Sequence, residues 1–387
     1  MRRRPTKPLL VVVAGMIGGI PGQGGAAWAV LQYLLGLRRL GHEVFFVEPV
    51  SESHLRPTRV PIDRSRNSAY AAAVLDGCGF GGCWSLVERE TRRTAGASFE
   101  RLESLAQQAD VFLNLGGTWR DGEVMDHIPV KIYVDLDPGF TQVWHQEDGI
   151  DMGFDGHTHF VTVGGAVGGP ECPVPTCGRQ WRPSVPPVVL DLWPQRSTSS
   201  FAGPVTTVAN WRSYGSVRYD GRVWAQKAHS WRELIDLPGR SDERFEVALA
   251  IDDGDDSDVR ALRANGWRLH DPATVASSPG SYQHFIAGSK AELCVAKSGY
   301  VESRSGWLSD RSVCYLASGR PVAAQDTGFR ISRDRGLLTF TTVEQAAEAL
   351  ARINADYLHH SRAARALAEE LFDSDRVLST LLEAVGQ

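Results

Sequence analysis

Three clusters of residues in this chain have the types and spacing to do chemistry. The densest begins with Lys297, Ser298 and Gly299 and continues with Arg304, Ser305 and Gly306, set just ahead of a predicted helix that carries Asp310 and Arg311 in its first turns. Backbone N–H groups at a helix start, reinforced by an arginine fork, make an anion site suited to a diphosphate. Ser305 also reads as a plain N-cap, and Arg304 as a solvated charge. The second cluster is Asp135-Leu136-Asp137-Pro138-Gly139, at the end of a predicted strand. A carboxylate there can take a proton from a hydroxyl, or it can shape the turn before Pro-Gly. Positions two apart on a strand share a face, so Asp137, further along, is the preferred base over Asp135. His157 and His159 are the alternatives, each without a paired partner in sequence. The third cluster is a glycine loop in which Gly22-Gln23-Gly24-Gly25-Ala26-Ala27 fits G-x-G-x-x-A and Glu48 follows about 20 residues later, as in a dinucleotide site. About eight residues separate Val13 from Gly22, whereas a dinucleotide loop starts directly after its strand. The preferred reading is therefore an acceptor-side loop carrying Gly18, Gly19 and Gly24, with close backbone passage as the bland alternative.

Elements that would position these residues follow from periodicity. Leu9–Val13 is a continuous apolar run of the kind buried on both faces of a parallel sheet. A helical period from Ala26 to Leu40 stops at Gly41, and His42–Val47 is the next strand. Strand, helix, strand in that order implies a right-handed crossover. Asp110–Leu115 and Lys131–Val134 continue the sheet. The six prolines between Pro170 and Pro204 suit a crossing between domains, and the polar run Ser197–Ser200 places the boundary near 195–203. A second series follows: strand 204–209, helix 222–235, strand 245–251, strand 267–269, helix 281–288, strand 292–296, helix 307–318 and strand 321–324, then a helical tail over 343–371. The expectation is an α/β chain of two Rossmann-like doubly wound domains, residues 1–200 and 201–387, with the site in the cleft between the carboxyl ends of their sheets.

Composition agrees. The 387 residues suit two domains, and 42% apolar with 22% charged residues is ordinary globular usage. With 41 Lys+Arg against 46 Asp+Glu the net charge is −5, which gives no uniform positive field for a nucleic-acid partner. No apolar run spans a bilayer. The six cysteines are few for a disulfide scaffold. The pairs Cys78/Cys83 and Cys172/Cys177 are spaced wider than a C-x2-C zinc ligand set, so no metal is expected. A cytoplasmic protein is the preferred reading. Arg2-Arg3-Arg4 before an apolar run offers an export signal as the alternative, although Gly15, Gly18, Gly19 and Pro21 interrupt that run.

Tyr315-Leu316-Ala317-Ser318-Gly319-Arg320-Pro321-Val322, followed by Gln325-Asp326-Thr327-Gly328-Phe329, resembles the donor half of GT-B glycosyltransferases of the family 4-like kind, in which a helix ending A-x-G-x-P-V leads through a strand into a D-T-G loop. Gly336-Leu337-Leu338 and Val343-Glu344-Gln345-Ala346 are similar to that family too. The resemblance implies metal-independent transfer of a hexosyl or deoxysugar unit from a nucleotide-diphosphate sugar, a substrate rather than a cofactor, to the hydroxyl of a small molecule or glycan. It implies Arg212 and Lys227 at the diphosphate, with Lys297, Arg304, Ser305 and Gly306. Asp310, Asp326 and Gly328 would lie near the sugar or ribose hydroxyls. The E-x7-E acids of many retaining members are replaced by Gly306 and Cys314, and the usual first-loop His base is absent. Trp119, Trp144, Trp181 and Trp211 fall in predicted loops, where they would stack on a sugar or pack as core. A nucleotide-sugar epimerase of the same fold and a non-catalytic nucleotide-sugar-binding protein are the alternatives.

Overall fold

A computed structural model describes residues 7–120, 122–195, 203–331 and 334–387. Arg2–Arg4 and the run Ser197–Ser200 lie outside the described residues. The first sheet contains β1 (Leu10–Ala14), β2 (Glu43–Val50), β3 (Trp84–Glu88), β4 (Thr94–Gly96), β5 (Val111–Leu115), β6 (Val130–Asp135), β7 (His159–Thr162) and β8 (Trp181–Pro183). Their order is β4-β3-β2-β1-β5-β6-β7-β8, parallel throughout except for β4. A hairpin of β10 (Val217–Tyr219) and β11 (Arg222–Trp224) stands apart. The second sheet contains β9 (Val205–Asn210), β12 (Phe245–Ala250), β13 (Arg268–His270), β14 (Ala291–Cys294), β15 (Val322–Gln325) and β16 (Leu337–Phe340), in the order β13-β12-β9-β14-β15-β16, all parallel. Each sheet reverses its winding once, between β1 and β5 and between β9 and β14. Those switch points are where crevices open in doubly wound sheets.

The central strands form because their apolar runs are covered on both faces. Val12, Val13, Val47 and Val111 are fully enclosed. Helix Gly24–Arg39 ends two residues before Gly41, whose φ of +94° only glycine adopts without strain.

Three expected elements differ. The helix over 222–235 is instead the β10–β11 hairpin plus a short helix, Lys227–Glu233. Asp220 and Gly221 take positive φ of 49° and 70°, the backbone of a two-residue Asp-Gly hairpin turn, and that turn overrides the helical period. The helix expected over 307–318 begins at Asp310, because Ser309 and not Ser305 is its cap, accepting the Arg311 N–H at 3.3 Å. The tail does not stop at 371. Helix Ser374–Glu383 returns to the first domain, where Leu378 and Ser374 press against Gly36 and Asp375 meets Arg39 at 3.2 Å.

The two sheets are joined along a seam of backbone contacts. Gly24 N–H donates to Ala276 C=O (2.9 Å), Ala166 N–H to Ser305 C=O (3.0 Å), and Trp28 Nε1–H to Pro279 C=O (2.9 Å). A methyl group on Gly24 would overlap the carbonyl of Ser278. Gly24→Ala is therefore expected to lower unfolding free energy by about 1–3 kcal/mol, the usual cost of overpacking. Gly77→Ala, which meets open space, should stay within about 0.5 kcal/mol of the parent, as surface substitutions usually do. Equal urea midpoints for the two variants would show that the seam yields.

Candidate active site

The carboxyl ends of β9, β12 and β13 open into a cavity of about 760 Å³ between the domains. Asn210, Asp252 and His270–Ala273 line it from the second domain, and Pro21–Gln23 cover it from the first. Its inner wall is cationic. Lys227, the first residue of its helix, is half-buried there beside Arg311. Removal from water, and then repulsion from Arg311 and Lys297, push the Lys227 ammonium down to about 7. Arg311 is buried and anchored: Nε donates to Glu292, Nη1 to the Val208 carbonyl (2.9 Å) and Nη2 to Cys294 Sγ (3.4 Å). Asp310, next to it, is exposed at the cavity edge at the first position of its helix.

Across the cleft, Asp137 lies two residues beyond the end of β6, in the turn rather than on the strand, and it meets the second domain, but it is not free. Lys297 Nζ donates to both carboxylate oxygens (3.2 and 3.0 Å), Tyr300 OH donates to Oδ1 and Tyr214 OH to Oδ2. Four hydrogen bonds from these three groups occupy about the four lone-pair positions of a carboxylate, leaving none for an acceptor proton. The Lys297 ammonium also sits 4.0 Å from the Tyr214 ring centre and 5.0 Å from that of Phe140. Burial pulls its pKa down while Asp137 pulls it up, with a net lowering. Asp135 is fully enclosed and accepts from Gln142, Thr162 and the Asp137 N–H. It builds the turn. His157 is packed among Phe112, Tyr133 and Phe160 and bonded to Asn114, a core position.

The glycine loop wraps a carboxylate. Glu48 accepts the N–H groups of Ile17 (2.9 Å), Gly18 (2.7 Å) and Gly19 (2.7 Å), and burial lifts its pKa to about 7 against the pull of those donors. In a dinucleotide site such amides face a pyrophosphate; here a side chain of the same chain fills them. Gly24 belongs to the seam. Only the segment from Pro21 to Ala26 reaches the cavity.

No family model matches the sequence, and no curated protein matches it. In three dimensions the chain aligns with an α-glucosyltransferase solved with UDP and a 13-mer DNA containing an HMU base, at 10% identity and a TM-score of 0.62, over 98% of this chain and 100% of that one. An α-glucosyltransferase solved with UDP-glucose and DNA containing an abasic site gives 0.63 at 12% identity, with 98% and 100% covered. Anabaena HepE with UDP-glucose gives 0.59 at 10% identity, over 97% and 99%. The fold is GT-B.

Within the GT-B cleft, Lys227 and Asp310 line the main cavity, and Lys297 is close enough to Lys227 to act on its charge. The other expected donor residues lie elsewhere. Arg212 is exposed and paired in a fork with Asp255 (3.1 and 3.0 Å). Arg304 caps helix Ser298–Ser303 in the left-handed region, with φ of 46°. Ser305 and Gly306 form the seam: Gly306 has φ of 77°, and a Cβ there would come within 2.6 Å of the Ala166 nitrogen. Gly328 packs on the Arg304 backbone, and Asp326 Oδ1 accepts the Gly328 N–H, a local turn. Trp119, Trp181 and Trp211 are core; only Trp144 is half-buried, against Tyr214. Tyr214 and Tyr300 are the site residues whose importance the sequence did not reveal. Among the described residues no group of three or more His, Cys, Asp or Glu side chains gathers to hold a metal ion, and no helix is long and apolar enough to cross a membrane.

Asp137→Asn strands the Lys297 ammonium, and the expected loss is about 3 kcal/mol, the low end for a buried pair deprived of one partner. Lys297→Met together with Asp137→Asn should restore part of it. Strict additivity of the two losses in a double-mutant cycle would show that the pair does not couple the domains.

Proposed function

We propose that this chain transfers a sugar from a uridine diphosphate sugar to an acceptor hydroxyl. The observation that carries the reading is Lys227: an ammonium driven toward neutrality by lost water and by two neighbouring cations, at the end of a cavity of nucleotide size. Such a site favours a bound anion, since a diphosphate returns to Lys227 what burial removed. Solved structures of the same fold that hold UDP or UDP-glucose support a uridine diphosphate sugar as the donor. Lys227, Lys297 and the start of helix Asp310–Ala317 would neutralise the diphosphate, so that no metal is needed for the leaving group. His270–Ala273 and Ala250–Asp252 would flank the nucleoside. The acceptor oxygen bonds to the anomeric carbon as the carbon–diphosphate bond breaks, UDP leaves with the electron pair, and the hydroxyl proton passes to a carboxylate. Asp310, exposed at the cavity edge, fills that role better than Asp137, whose oxygens are already engaged. The DNA present in the solved α-glucosyltransferase complexes is not carried over as a partner, because a net charge of −5 opposes a polyanion.

Two measurements test this. Lys227→Met should weaken UDP about 10- to 150-fold while changing uridine little, the worth of a charge-assisted hydrogen bond. UDP binding should draw protons onto the wild-type protein near pH 7, because burial and neighbouring cations hold the Lys227 pKa low and a bound diphosphate raises it. Affinity then declines as pH rises above 7, and calorimetry in buffers of different ionisation enthalpy reads the uptake, which Lys227→Met removes. In turnover assays with UDP-glucose, UDP release only in the presence of an acceptor is the expected outcome. Conversion of the donor sugar without acceptor would assign epimerisation instead.

A further inference from the structure

A second cavity, of about 430 Å³, lies on the seam away from the donor cavity. That volume is within the roughly 300–1,000 Å³ range of small-molecule sites. Its walls come from the ends of β7 and β8, from the loop after β15, and from one face of the returning helix Ser374–Glu383. The floor is apolar, with Phe329, Leu308 and Leu381 all buried. Around it stand Arg182, Arg330 and Arg376, all exposed, and no carboxylate lines the cavity among the described residues. Arg376 Nη1 donates only to the Glu370 backbone carbonyl (2.9 Å), and Arg330 has no hydrogen-bond or ionic partner among the described residues.

The groove is also next to the reaction site. A narrow pocket of about 140 Å³ shares Val163, Pro186 and Leu308 with the groove, and shares Asp310 with the donor cavity. Apolar floor, arginine rim and adjacency to Asp310 together define one ligand chemistry. We propose that the groove holds the acceptor, and that the acceptor is an amphipathic anion: an apolar body on the floor, an oxyanion among the arginines, and a hydroxyl reaching Asp310 through the narrow pocket. This rests on the glycosyl-transfer reading for the word acceptor, but the groove's ligand preference stands or falls on its own.

Calorimetry on the full chain tests it with decyl phosphate held below its micelle concentration, decyl maltoside, and inorganic phosphate, while UDP is titrated separately. Decyl phosphate is expected to bind one-to-one, with decyl maltoside and inorganic phosphate each at least 10-fold weaker. Arg330→Ala and Arg376→Ala should each weaken decyl phosphate about 10-fold, as for an exposed charge-assisted hydrogen bond. Thr380→Trp, at an exposed position on the helix face, should block the groove. All three variants should bind UDP as the parent does. Equal affinity for decyl maltoside would remove the oxyanion, equal affinity for inorganic phosphate would remove the apolar body, and decyl phosphate binding that is absent or unmoved by all three substitutions would end the proposal. Failure of the parent to bind UDP would count against the donor reading alone.

Discussion

A guanidinium buried where the second sheet reverses its winding sets the geometry of the cleft. Arg311 reaches from the first turn of its helix to β9 through the Val208 carbonyl and to β14 through Glu292 and Cys294. Glu292 is wholly enclosed, and its second oxygen has no hydrogen-bond partner. A carboxylate left in that state is costly on its own. Its presence makes sense as the counter-charge that allows an arginine to be buried. Such pairs contribute little net stability, and their worth lies in position. Here the position fixed is the start of a helix, so Asp310 and the free N–H groups behind it lie over the strand ends where a crevice must open. At Lys227 the pull of Glu292 opposes the push of Arg311, but lost water and the two cations prevail, so the ammonium remains short of an anion.

The other wall of the cleft is held in register by contacts that tolerate almost no displacement. Glycines at 24 and 306 let backbone meet backbone across the seam, and hydrogen bonds from Gly24 and Ala166 close it. Between those contacts the Asp137–Lys297 pair sits in a ring of Phe140, Tyr214 and Tyr300. Dispersion and cation–π attraction accept many arrangements, whereas an ion pair with two tyrosine donors accepts few. The pair therefore orients the domains, and this orientation brings the Pro21–Ala26 loop over the main cavity.

How far the sequence was legible follows from the range of the interactions. The parallel strands and their winding were readable because burial on both faces leaves an unbroken apolar run, and Gly41 marked its helix end. The β10–β11 hairpin was missed although Asp220-Gly221 is a strong turn signal, because the alanines and tryptophans after it mimic a helical period. Helix Asp256–Ala264 was missed because only Leu262 is buried on it, too little for an apolar stripe. At the site, Lys227 and Asp310 are named through the resemblance and the helix-start pattern, and both line the main cavity because each opens its helix. Arg304 to Gly306 was misplaced because its role is set by Gly164–Ala166, about 140 residues earlier, and no local pattern reports such a contact. Glu48 shows the limit most plainly: its spacing from the glycine loop fits a ribose-binding acid, yet the carboxylate binds the loop itself.

Net charge and local charge act in opposite directions in this molecule. The chain carries −5, but solvent and salt screen distant charges within about 8 Å, so a ligand responds to the groups it touches. Along the line of cavities those groups alternate. Lys227 and Arg311 stand at one end, three arginines at the other, and between them, over apolar floor, the exposed carboxylate of Asp310. A small molecule with negative charge at both extremities and neutral hydroxyls in its middle matches that sequence. On the proposed reading, a diphosphate sugar meeting an anionic acceptor would supply it: the two anions would repel each other through water, and separate cationic clusters would offset that repulsion with the exposed Asp310 carboxylate between them.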